Sequence, residues 1–138
     1  MHPGRILALD FGTKNVGLAT SDELGITIRP LPSIPNRNRR DLLQRLKMAV
    51  EELAIESLVV GIPLNMDGST GAAVERVQRF MKFLREDLSL PLREVDERLS
   101  TVEAAEIWRG MNARQQKKYR TLDSLAAAII LERFLREG

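Results

Sequence analysis

Asp10 directly follows the apolar run Ile6, Leu7, Ala8 and Leu9, so its carboxylate sits at the rim of a buried strand. An unpaired charge is costly there. Gly12, two residues on, lets the backbone turn sharply and approach a ligand. A turn-forming aspartate that caps its own loop fits the same letters. Asp96 and Glu97 follow a second apolar stretch, Leu92 to Val95, and precede a helix start. That is the strand-to-helix position where α/β sheets place ligands, although two acids beside Arg98 can equally form a surface ion pair. Asp123 has Ala126, Ala127, Ile130 and Phe134 at helical spacing behind it, so it points along a packing stripe. An aspartate in a first helical turn also meets the macrodipole favourably.

Brought to one edge of a sheet, three carboxylates repel and bind protons tightly unless a cation neutralises them. The rest of the composition narrows the chemistry. The chain has no cysteine and one histidine, His2, which removes thiolate nucleophiles, disulfides, thiolate zinc sites and any Ser-His-Asp or multi-histidine arrangement. Hard oxygen donors without histidine or cysteine select Mg²⁺ or Mn²⁺. Such a site activates water and stabilises a phosphoryl transition state, with paired metals roughly 4 Å apart. The letters Asp10-Phe11-Gly12 also spell a kinase metal-binding motif. With 138 residues, about half a kinase, and no His-Arg-Asp loop, that match is accidental.

The elements that must position these acids can be read from periodicity. Arg5 to Leu9, Val16 to Thr20 and Ile26 to Arg29 read as three strands, and two tight connections favour an antiparallel meander. Asp41 to Leu53 carries a helical apolar stripe, Leu58 to Val60 a buried strand, and Val74 to Leu84 a second helix. Leu92 to Val95 is a short strand. Ser100 with Glu103 forms a capping-box pattern for a helix from about Thr101 to Arg109, closed by Gly110. Met111 to Arg120 reads as polar, basic and mobile, and Thr121 opens a last helix to about Arg136. Three meandering strands followed by βα alternation imply one α/β domain over residues 1–138, a mixed five-stranded sheet with helices against its faces.

The loop Gly61 to Gly71, GIPLNMDGSTG, precedes a helix start whose free N–H groups could hold a phosphate, though it lacks the Gly-Lys-Ser/Thr ending of a P-loop. The formal charge is only +2, from 21 basic and 19 acidic residues, so distribution matters more than the total. One basic cluster holds Arg37, Arg39, Arg40, Arg45 and Lys47; another holds Arg109, Arg114, Lys117, Lys118 and Arg120. Two positive patches on a near-neutral chain suit a polyanion as well as an ordinary solvated surface. No apolar run approaches a membrane span and the start is no secretory signal, so the expectation is a cytoplasmic protein without a membrane partner.

Four segments in this order and spacing, LALDFGTKNVGLATSD, VVGIPLNMDGSTG, VDERLST and LDSLAAAIIL, resemble the YqgF (RuvX) family over residues 5 to 135. The resemblance implies an RNase H-like fold and either a pre-16S rRNA nuclease or a Holliday-junction resolvase homologue. It also implies that Asp10, Glu97 and Asp123 are the catalytic, metal-binding acids, with Asp10 bridging two Mg²⁺ ions. Arg98 would meet a phosphate or fix the site, Asp96 would stand behind the ligands, and Lys14, Asn65 and Ser69 would lie in substrate-facing loops. With Arg114, Lys117 and Lys118 of the second basic cluster, these make the expected nucleic-acid contacts. Junction resolvases of this fold carry another aspartate three residues after the helical one. Here that residue is Ala126, and Asp22 or Asp96 could supply the missing oxygen.

Three readings follow. The favoured one is a divalent-metal-dependent endonuclease that processes the 5′ end of pre-16S rRNA. The second is a resolvase acting on branched DNA, and the third a non-catalytic nucleic-acid or ribosome-assembly module, for which the 4% aromatic content offers little base stacking. An actin-like or sugar-kinase-like ATPase is disfavoured because such proteins need two domains to enclose ATP. The partner in the favoured readings is structured nucleic acid, met by a monomer or a homodimer.

Overall fold

The computed structural model describes residues 4–65, 67–97 and 100–137. His2, Arg98 and its expected phosphate contact lie outside the described residues, as does the side chain of Ser100 with its capping role. The five strands are β1 (Ile6–Phe11), β2 (Asn15–Ser21), β3 (Ile28–Pro35), β4 (Ser57–Ile62) and β5 (Leu92–Asp96). The helices are α1 (Arg39–Glu52), α2 (Ala72–Leu88), α3 (Ser100–Gly110), α4 (Ala113–Tyr119) and α5 (Leu122–Glu137). One mixed sheet in the order β3-β2-β1-β4-β5 joins an antiparallel meander to a parallel β1-β4-β5 half. The α/β class and the five-stranded mixed sheet expected from the pattern are thus present. Among the described residues no helix is long and apolar enough to cross a membrane.

Strand alternation sorts the core into two layers. Leu7 and Leu9 of β1 join Val16, Leu18 and Val60 beneath α1 and α2, whose buried residues include Leu42, Leu46, Val77 and Met81. Ile6 and Ala8 face the other way and join Ala19, Val59, Val95, Ala127 and Ile130 of α5. Asp10 shares the parity of Ile6 and Ala8, so sheet geometry turns it toward α5. The first half of α5 is buried on every side, Ser124 through Leu131, because it runs between the sheet and α3.

Two segments depart from the sequence reading. The third strand, expected over Ile26 to Arg29, begins at Ile28 and runs through Pro30, Pro32 and Pro35. Prolines disqualify a central strand because they lack a ladder donor, but β3 is an edge, where missing N–H groups face away from the sheet. The segment Met111 to Arg120, read as mobile, holds α4. Its signal is local: the Asn112 side chain accepts from Gln115 N at 2.9 Å while Gln115 Oε1 accepts from Asn112 N at 3.0 Å.

The start of α5 is fixed to the meander by hydroxyls and by a glycine. The β2–β3 register slips between Val16 and Leu18, so β3 carries an extra residue around Ser33. Ser33 Oγ meets Thr121 Oγ1 at 2.6 Å, and Ser124 Oγ donates to the Leu31 carbonyl. On β2, Gly17 lies opposite Asp10 in the register. A Cβ there would come 2.9 Å from Asp123 Cβ and would collide with the Asp123 carbonyl. The bare α-carbon is what lets the first turn of α5 lie against the strand beside Asp10.

Gly17→Ala therefore forces backbone against backbone. We expect a loss of about 1–3 kcal/mol or more in chemical denaturation, with Gly17→Val worse. A variant as stable as the parent would mean that α5 can shift freely.

Candidate active site

Three acids from three elements line one recess. Asp10 is the next-to-last residue of β1, Glu97 follows β5 at once, and Asp123 sits in the first turn of α5. The recess has a volume of about 550 Å³ and is also bordered by Phe11, Thr13, Asn36, Arg39, Arg76, Arg79, Phe80 and Phe83. It opens at the carboxyl ends of β1, β4 and β5, where antiparallel pairing on one side of β1 gives way to parallel pairing on the other.

Glu97 is the most constrained of the three. Its N–H donates to the Ile62 carbonyl at 3.1 Å, continuing the β4–β5 ladder one step past the strand. Its side chain turns back over β4 and is only 4% exposed. A Cβ on Gly61 would lie 2.7 Å from Glu97 Oε2 and 2.6 Å from Ile130 Cδ1, so Gly61 provides the room. Oε2 is buried with no hydrogen-bond partner. Burial, then the Asp10 charge, the hydrogen bond Glu97 donates to Asp10, and the nearby Asp96 charge together push the Glu97 carboxyl up to about 9.

Asp10 is raised as well, first by burial and then by the Asp123 charge, while the proton that Glu97 offers it works in the opposite direction. Asp123 is raised by partial burial. Asp10 and Glu97 therefore form a hydrogen-bonded acid pair, and Asp123 acts on Asp10 through its charge. Among the described residues no three of Asp, Glu or His converge tightly enough to surround a single ion.

The other expected site residues fall into different places. Asn65 and Ser69 are bonded to each other within their loop, Asn65 Nδ2 to Ser69 Oγ at 3.0 Å, with Ser69 Oγ also donating to Asp67 at 2.6 Å. Lys14 is exposed in the β1–β2 turn, next to Thr13, which borders the site. Lys117 borders a shallower recess with Arg120, Asn15 and Asp123, on another side of Asp123, while Arg114 and Lys118 are exposed on α4 outside both recesses. Asp22 cannot assist. Its carboxylate accepts from Leu24, Ile26 and Thr27, which pushes it down to about 2, and it sits at the far end of β2 from Gly17. Ala126 is buried against Ala104 of α3, so no oxygen donor stands there.

Sequence reasoning missed Gly17, Gly61, Arg76, Arg79 and Phe83. The last three had a readable signal. Ala73, Arg76, Arg79, Phe80 and Phe83 recur at helical spacing on the face of α2 that borders the recess.

Hard oxygen donors and an orphaned, buried carboxylate oxygen fit a divalent cation, which would supply the partner that Glu97 Oε2 lacks.

A family model described as "RuvX: Holliday junction resolvase" matches residues 4–137. A protein of Koribacter versatilis, named provisionally as a pre-16S rRNA nuclease, is 39% identical over 132 residues, covering 96% of this chain and 86% of its own. A Geobacillus kaustophilus protein of the same name is 41% identical over 133 residues, covering 95% and 96%. Among solved structures, RuvC of Thermus thermophilus in complex with a Holliday-junction substrate superposes with a TM-score of 0.60 at 14% identity, over 98% of this chain and 96% of that one. The fowlpox virus Holliday-junction resolvase gives 0.59 at 15% identity, over 97% and 99%. These likenesses establish the RNase H-like fold.

Because the folded-state pKa of Glu97 lies above its unfolded value of 4.5, its contribution to stability is fully present below pH 4.5 and is lost as pH rises toward 9. In chelator, the melting temperature should fall across that window. Glu97→Gln should flatten most of the slope, and millimolar Mg²⁺ or Mn²⁺ should restore stability at the alkaline end. A flat profile for the parent chain would show that the pair is not buried as described.

Proposed function

The chain belongs to the RuvX family, and from that premise we propose that it is a divalent-metal-dependent endonuclease that trims the 5′ end of pre-16S rRNA. The observation that carries this reading is the buried Glu97 oxygen without a partner, beside Asp10 in a recess that also contains cationic side chains. The substrate is nucleic acid, and the whole chain, 1–138, acts as one nuclease domain in the cytoplasm.

Asp10 and Glu97 would hold Mg²⁺ or Mn²⁺, with Asp123 completing the acidic wall. When bound, the cation lowers the proton affinity of water and offsets charge gathering on the phosphoryl group. The chain's own residues do the rest. Glu97, whose carboxyl binds its proton tightly, would release it to water as a cation binds, leaving both carboxylates anionic. Burial against Gly61 and Ile130 restricts the orientation of the Glu97 carboxylate, and the β1–β2 register fixes Asp10 beside Gly17. Asp123, held by the hydroxyls around Ser33 and Thr121, keeps its charge near Asp10. Lys117, beside Asp123, would meet the same strand on its way out of the site, and Lys14, Asn65, Ser69, Arg98, Arg114 and Lys118 would contact it farther along.

Cleavage of a branched DNA junction is the second reading, favoured by the family description and by the resolvase fold. Matched assays on precursor RNA and a four-way junction with Mg²⁺ or Mn²⁺ separate the two: we expect cuts in the RNA, and cuts in the junction alone would overturn the choice. Asp10→Asn and Asp123→Asn should each reduce turnover at least about a hundredfold while the chain stays folded. Retained cleavage would remove the acids from the mechanism.

A further inference from the structure

The acids account for one part of the recess; arginines and phenylalanines supply much of the rest. Ala73, Arg76, Phe80 and Phe83 share one face of α2 and extend about 15 Å along it. Arg39, the first residue of α1, stands opposite, its guanidinium carbon 3.8 Å from the centroid of the Phe83 ring. Phe11 and Phe80 stack with centroids 4.7 Å apart and 24° between planes. Among the described residues, Arg39, Arg76 and Arg79 form no ion pair or hydrogen bond with a carboxylate, although they share the recess with three acids. Cations placed to neutralise those acids would have paired with them. Opposite charges left apart in one recess call for a ligand that presents anionic groups to the arginines and meets the acids through a cation.

Phosphates alone would not need an aromatic floor. Unpaired bases stack on aromatic rings and on guanidinium planes, whereas a paired base has both faces covered by its neighbours. A recess of about 550 Å³ is of the size that encloses one small ligand.

We propose that this recess seats one unpaired nucleotide, its base on the Arg39–Phe83 stack and its flanking phosphates on Arg76 and Arg79, so that strands are cut where pairing is interrupted. The proposal rests on the nuclease reading and deepens it, because it names what the site selects. RNA and DNA both offer this chemistry, and the test contains both.

The test measures anisotropy of the full chain with labelled hairpins, one with a single bulged nucleotide and one fully paired, each as RNA and as DNA. Calcium buffer is used for binding, and cleavage is followed in parallel with Mg²⁺ or Mn²⁺. The bulged hairpin should bind at least about tenfold more tightly than the paired one in whichever polymer is bound. Arg39→Lys keeps the charge but loses the planar group, so bulge affinity should fall about five- to tenfold with the salt dependence unchanged. Arg76→Ala with Arg79→Ala should weaken both hairpins and reduce the slope of log affinity against log salt by about 1.5 to 2. Arg136→Ala, at the opposite end of α5 from Asp123, should behave as the parent does. Equal affinity for bulged and paired hairpins, or a harmless Arg39→Lys, overturns the seat. If the arginine variants bind normally while Asp10→Asn still abolishes cleavage, the seat is wrong and the nuclease reading stands. If the parent chain neither binds nor cuts any hairpin, both fall.

Discussion

Two carboxyl groups that would each prefer water, a half-buried Asp10 and a buried Glu97, lie side by side where three parallel strands end. Burial and then the Asp10 charge hold the Glu97 carboxyl far above the usual carboxylate range. Such a pair is costly in an apolar setting, and the surrounding structure maintains it against that cost. Gly61 opens the space over β4, the Ile62 carbonyl anchors the Glu97 backbone, and Ile130 limits exposure. The repulsion that opposes stability at this pair is what would give it affinity for a positive charge.

The sheet topology follows from the same requirement. Asp10 and Glu97 are separated in the chain by β2, β3, α1, β4 and α2, and come together because β1, β4 and β5 run parallel. Asp123 reaches them from the other direction. Its helix can approach only because Gly17, Ala8 and Ala19 leave β1 and β2 thin beneath Ala127, and the slip in β3 provides Ser33 to hold the helix start. A buried α5 is thus a positioning device as much as a core element. The same helix without its small residues would stand off the sheet and carry Asp123 away from Asp10.

On the opposite side, α1 and α2 pack on the Leu7 and Leu9 layer and bring their own cargo. Their buried faces fix the rotation of each helix, and that rotation turns Arg39, Arg76 and Phe83 into the recess. The two layers therefore meet at the site with different contributions, carboxylates from the α5 side and cations with aromatic rings from the α1–α2 side. A nuclease needs both halves, one for the reacting phosphate and one for the strand that carries it.

Much of this was legible in the order of residues. An acid ending an apolar run, another between strand and helix, and a third on the buried stripe of a small-residue helix are each local signals, and absent cysteine and scarce histidine leave carboxylates as the natural chemical groups. Strand and helix positions follow from periodicity for the same local reason, and the errors fall where local rules mislead: prolines that an edge strand tolerates in β3, and a cap that makes a helix of a polar stretch in α4. Distance between segments is not a local property. Which face of α2 meets the acids, why Gly17 and Gly61 must lack side chains, and that Glu97 rather than Asp96 is buried all depend on how layers stack. Asp22 shows the same divide, since a carboxylate that looks available in the chain is consumed by its own turn. Sequence determined which groups could act, because side-chain chemistry and periodicity are written residue by residue; only the packed structure decided which of them meet, because burial and proximity belong to the whole fold.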